Sequence, residues 1–230
     1  MAEGGRSGFS KFLMLIVIAI LGLALAFWLL ILRNAAEDPA VIQETPISEG
    51  GSLDGAWTLV PNDSFGSFAG FRIDEEFVGA IKNTATGRTD EVFGKMEIKG
   101  GAVTSATITA SLSALTSEPQ FRVDALKGVG LETVKFPEAT FVLVTPIALR
   151  QPQEKGVTNS FDATGDLTLH GVTRRVTIPL EGRWDGTTIQ VVGHLPISLT
   201  EYGIVKPTTP RVASIADAGE LEIQLFFLKQ

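Results

Sequence analysis

The chain has 230 residues, a formal net charge of −7 and no cysteine. Without thiols it holds no disulfide, thiolate nucleophile, Cys-ligated metal or Cys-linked lipid. Beyond residue 33 it carries 16 Lys and Arg against 25 Asp and Glu, and such an acidic surface argues against nucleic acid or anionic lipid as the main partner of the folded part.

Residues 1–11 are Gly-rich and include Arg6 and Lys11. Phe12 to Leu32 follow without a charge. As a helix these residues span about 31 Å, enough to cross a hydrocarbon core. Phe27 and Trp28 stand near one end, where aromatic rings favour the interface. A cleaved signal peptide has a shorter apolar region and a small-residue cleavage site. This run ends instead in Trp28-Leu29-Leu30-Ile31-Leu32, so the expectation is a retained single-pass anchor over 12–32 in the cell membrane. Arg6 and Lys11 before it, and Glu37 and Asp38 soon after Arg33, orient the N-terminus to the cytoplasm and the rest outside.

Residues 33–55 read as a linker, with Pro39, Pro46, Gly50, Gly51 and Gly55 and little periodicity. A flexible stretch of this length spans about 25 Å. The folded domain is expected over 56–230. Trp57–Val60 and Phe68–Asp74 read as opening strands, separated by the turn signal Pro61-Asn62-Asp63. Glu91–Lys99 alternates by twos, with Phe93 off the pattern, and Gly100-Gly101 makes a hairpin turn. Val103–Leu112 is a Thr-rich strand. Ser117-Glu118-Pro119-Gln120 has the form of a capping box at the start of one short helix, which Gly128 and Gly130 end.

Thr140–Thr145 is a further strand, closed by Pro146. The clearest hairpin comes next. Phe161, Ala163, Gly165, Leu167 and Leu169 share one strand face, and Val172, Val176, Ile178 and Leu180 share a face of the following strand. His170-Gly171 is the tight connection. Thr188–Ile197 is a strand, 200–214 an irregular loop, and Glu220–Leu228 a closing strand with Leu221, Ile223, Leu225 and Phe227 on its inner face. The sum is eight or nine antiparallel strands, a barrel or a sandwich.

No hydrolase, metalloprotease, P-loop or EF-hand motif is present, and Gly128-Val129-Gly130 lacks a dinucleotide loop's third glycine. His170 and His194 are the only histidines. Two are too few for a three-His zinc site, and both read as hydrogen-bonded strand or turn residues. Asn62-Asp63-Ser64 matches a glycosylation acceptor. Arg174 shares the parity of Val172, Val176 and Ile178, so its charge must reach a rim, a carboxylate or a ligand head group.

The run Gly165-Asp166-Leu167-Thr168-Leu169-His170-Gly171-Val172-Thr173 resembles the central motif of the YceI-like family, lipocalin-like barrels that bind polyisoprenoid chains. Ser67 to Ile73, Arg122 with Asp124, Leu131 to Pro137 with Ala139-Thr140-Phe141, and Tyr202-Gly203-Ile204 resemble further family elements in the same order. Glu75 stands where members often carry His, and Val123 separates an Arg and Asp that are usually adjacent. Members are usually exported without an anchor, so the span implies a tethered subtype.

The resemblance implies an all-β fold, an antiparallel lipocalin-like barrel of about eight strands with one short helix. It implies a non-enzymatic binding protein for an isoprenoid lipid, a quinone or polyprenyl type, held in an apolar interior, with a carrier or sequestering role and no cofactor. The inward residues are then Val92, Met96, Ile98, Ile108, Leu112, Phe141, Leu143, Leu167, Leu169, Val176, Ile178, Ile223, Leu225 and Phe227, with Arg174 toward the head group. A structural module of the cell envelope with a filled barrel is the alternative.

Overall fold

The computed structural model describes residues 6–33, 36–49, 51–59, 64–78, 81–118, 120–150, 152–207 and 212–230. The turn at 61–63 with its acceptor Asn62, and also Gly50, Pro119 and Pro210, lie outside them, as does the side chain of Trp28. The chain divides into two units, Met1–Ala35 and Ala36–Gln230.

The first unit holds α1 (Arg6–Arg33), a helix of 28 residues that includes the whole apolar run. Its side chains are described over 12–27, and among the described residues no helix is long and apolar enough to cross a membrane.

The second unit has eleven strands among its described residues. In chain order they are β1 (Gly55–Leu59), β2 (Phe68–Phe77), β3 (Ile81–Thr89), β4 (Val92–Lys99), β5 (Ala102–Ser111), β6 (Glu138–Leu143), β7 (Ile147–Ala148), β8 (Thr158–Leu169), β9 (Val172–Trp184), β10 (Thr188–Ser198) and β11 (Val212–Lys229). A short helix, α2 (Gln120–Ala125), passes into a π-helical turn, Leu126–Gly130. Every pairing is antiparallel. The order β1-β4-β5-β6-β8-β9-β10-β11 returns to β1 through Trp57 opposite Lys229 and Thr58 opposite Leu228. That return makes an eight-stranded closed barrel rather than a sandwich, and closure removes the exposed edges that an open sheet must protect.

The hairpin β2–β3 continues the walls begun by β1 and β4, with β2 pairing β11. At its far side Arg88 bridges Thr116. The barrel therefore has two distinct ends. One carries the His170-Gly171 turn, the helical segment 120–130 and the loop after β10. The other carries Gly100-Gly101, the 144–157 connection and Asp185 to Thr187.

Four expectations change. β3 was not expected, because its inner face uses Asn83, Ala85 and Gly87 and shows no apolar alternation. β11 begins at Val212 rather than Glu220, since bulges between Val212 and Ser214 and between Ile215 and Gly219 break its period-two pattern. The Ser117 hydroxyl, expected to cap α2, is tied to β3, donating to the carbonyl of Thr86.

The fourth change concerns the linker. Residues 36–49 form a strap across the outside of β3, β2, β11, β10 and β9. The Ala40 N–H donates to Glu222 Oε2 (3.2 Å) and the Gln43 N–H to Gln190 Oε1 (2.8 Å). Gln190 returns a bond to the Val41 carbonyl (3.1 Å), and Arg183 donates to Thr45 Oγ1 (2.6 Å). Beneath the strap Glu222 is fully buried between Arg88 (2.8 Å) and Arg72 (3.8 Å). A segment whose backbone is satisfied by side chains needs no strand periodicity, so its composition reads as linker.

Candidate functional site

The inward faces of the barrel do not meet across its axis. They leave a cavity of about 310 Å³, lined from Glu75, Arg122 and Leu126 at one end to Leu53 and Trp184 at the other. That volume lies in the range of small-molecule sites. Two buried apolar clusters flank it. One is built on Trp57, Val92, Ile98, Ile189 and Phe227, the other on Leu112, Leu131, Leu169, Tyr202 and Ile204.

Of the fourteen residues expected to face inward, twelve line the cavity: Met96, Ile98, Ile108, Leu112, Phe141, Leu143, Leu167, Leu169, Ile178, Ile223, Leu225 and Phe227. Val92, with no exposed surface, packs into the first cluster instead. Val176 is half-buried against the second. Neither lines the cavity.

Of the three outcomes open to Arg174, a rim, a carboxylate or a head group, the structure shows it at a carboxylate on the rim. Although it stands opposite Leu167 in the ladder, its guanidinium is exposed, pairs with Glu201 at 3.3 Å and does not line the cavity. A long side chain near a strand end reaches water at little cost, and a carboxylate there completes its bonding.

Among the charged residues that line the cavity, Glu75 and Arg122 form a pair within it that the sequence reading did not name. Glu75 is the last residue of β2 to line the cavity, and Arg122 projects from the middle of α2. Both are buried, and the Arg122 Nη2 donates to Glu75 Oε1. Asn83, opposite Glu75 on β3, donates to the same oxygen at 2.8 Å. The Arg122 Nε is buried and finds no hydrogen-bond partner among the described residues. The signal available in the sequence was parity: Glu75 follows Phe71 and Ile73 on one strand face.

The most recognisable residues have a different task. His170 is buried in the turn, with φ +52°. Its Nδ1 lies 3.1 Å from the Tyr202 carbonyl and its Nε2 2.9 Å from Glu132 Oε2. The Phe136 ring meets it edge-on, with 4.6 Å between centroids. His170 thus ties three separate stretches together at one barrel end and lies off the cavity lining. His194 is bound to Glu220 (3.0 Å) and to the Ala40 carbonyl of the strap (3.1 Å).

The YceI-like domain family matches residues 57–227. A UPF0312 protein of Pseudomonas syringae pv. tomato is 37% identical over 83 residues, 34% of this chain and 40% of that protein. A UPF0312 protein of Vibrio parahaemolyticus is 30% identical over 134 residues, 56% of this chain and 65% of that one. The chain therefore matches less than two thirds of these relatives' lengths. Among solved structures, a polyisoprenoid binding domain from Saccharophagus degradans superposes with a TM-score of 0.58 at 18% identity, covering 76% of this chain and 98% of that one. BcnA of Burkholderia cenocepacia does so at 0.53 and 19%, covering 70% and 94%. These two likenesses are of fold.

Proposed function

The chain belongs to the YceI-like family, and from that premise we propose that it binds isoprenoid lipids within its barrel, as a membrane-tethered carrier or sequestering protein on the extracytoplasmic side. The observation that carries this reading is the mostly apolar lining of a cavity that runs from one barrel end to the other. Each buried methylene-sized group contributes about 0.8 kcal/mol, so a five-carbon prenyl unit brings about 4 kcal/mol before the costs of ordering the chain. A long unbranched or prenyl tail profits from such a space, and a compact polar metabolite does not. The tether rests on the uncharged run 12–32, which lies within α1, and on the flanking charges.

The reading involves no bond-making step. The test is native mass spectrometry with lipid extraction on the full chain purified from its host membrane. A co-purifying species of isoprenoid mass is the expected result. An empty protein that takes up neither added quinone nor polyprenyl phosphate would leave the filled structural module as the reading. Carbonate extraction of membranes, with a C-terminal reporter for sidedness, checks the tether; release into the carbonate supernatant would count against it.

A further inference from the structure

We propose that the Glu75–Arg122 pair makes this cavity selective for lipids with a neutral, hydrogen-bond-accepting head, such as a quinone carbonyl, against the same tail bearing a phosphate. The inference rests on the lipid-binding reading and names the head group for it.

Three observations carry it. First, the pair faces into the cavity and is withdrawn from water, with side-chain exposures of 10% for Arg122 and 3% for Glu75. Secondly, the guanidinium charge is already matched. One carboxylate oxygen takes the Arg122 Nη2 and the Asn83 amide, so this end of the cavity is close to neutral as a whole. Thirdly, the Arg122 Nε retains a donor without a partner among the described residues. A buried donor left unmade is costly, and one acceptor oxygen satisfies it.

The two kinds of head group then differ sharply. A quinone carbonyl accepts from Nε and brings no charge. A phosphate monoester brings a charge of about −1.5 to −2 at pH 7. It would enter beside the Glu75 carboxylate with the only cation of the pair already committed, and an uncompensated charge in an apolar enclosure is strongly disfavoured. Nearby lysines are engaged outside the cavity: Lys127 donates to the Ser113 carbonyl and Lys206 pairs with Asp217 (2.6 Å).

The experiment is a competition on the full chain in nanodiscs of zwitterionic lipid, between a prenyl quinone and a prenyl monophosphate of identical tail, read by native mass spectrometry. Wild type should prefer the quinone by at least tenfold. Glu75→Gln leaves the Arg122 charge unmatched, and the preference should move toward the phosphate by tenfold or more. Equal or stronger binding of the phosphate by wild type overturns the proposal, and so does a Glu75→Gln protein with unchanged preference. The wild-type arm decides even if the variant does not fold. If wild type binds neither lipid, the isoprenoid reading falls, and the head-group selection with it.

Discussion

At the scale of single residues, the recognisable motif divides its tasks: Leu167 and Leu169 line the cavity, while Gly165 and His170 serve construction. A Cβ built on Gly165 would run into the Phe141 ring and meet the Val142 carbonyl oxygen at 2.5 Å. Gly165→Ala is expected to cost about 2 kcal/mol through overpacking, measured by urea unfolding; a loss below 0.5 kcal/mol would show that the Phe141 ring yields freely. Tyr202 gives a pH signature. Burial holds its phenol above the ordinary value of 10.0. The folded state thus favours the neutral phenol, and stability is complete below pH 10. As pH rises above 10 the unfolded chain ionises first and stability falls. Tyr202→Phe should flatten that alkaline loss in unfolding curves taken between pH 8 and 11. His170 was legible as a turn residue because Gly follows it. Its partners Glu132 and Tyr202 are 38 and 32 positions away, beyond the reach of any local pattern.

At the scale of elements, the strap is the feature with no sequence signature. It lies outside the stretch matched by the family, yet it covers Glu222, Gln190 and Asp185, all buried. Glu222→Ala should cost about 3 kcal/mol, because Arg88 and Arg72 would keep their charges under the strap without the carboxylate. Hydrogen exchange at the Ala40 and Gln43 amides provides the check: both should be protected in wild type and lose protection in the variant. Unprotected amides in wild type would mean that the strap is not held. β4, β8 and β9 were legible because each has one apolar and one wet face. β3 was not, because the strap covers part of its outer face while Asn83, Ala85 and Gly87 fill its inner one.

At the scale of the whole molecule, closure of the barrel leaves a mostly apolar space along its axis, and in the proposed reading that space selects the ligand. A ligand held only by the folded state stabilises it by about 2.7 kcal/mol at a hundredfold excess over Kd. For a domain of this size that is a rise in Tm of about 5–11 °C. A long-tailed quinone should produce it in a thermal melt of the full chain, whereas a filled barrel would show no shift. The sequence by itself determined the apolar helix, the all-β character and twelve of the residues that line the cavity, because strand parity and side-chain polarity are local properties. Only the tertiary structure decided that β1 returns to β11, that Glu75 meets Arg122 inside the cavity, that Arg174 turns away from it and that residues 36–49 bind the outer wall. Those depend on which distant segments come into contact, and burial, not spacing, sets the cost of leaving a charge or an amide unpaired.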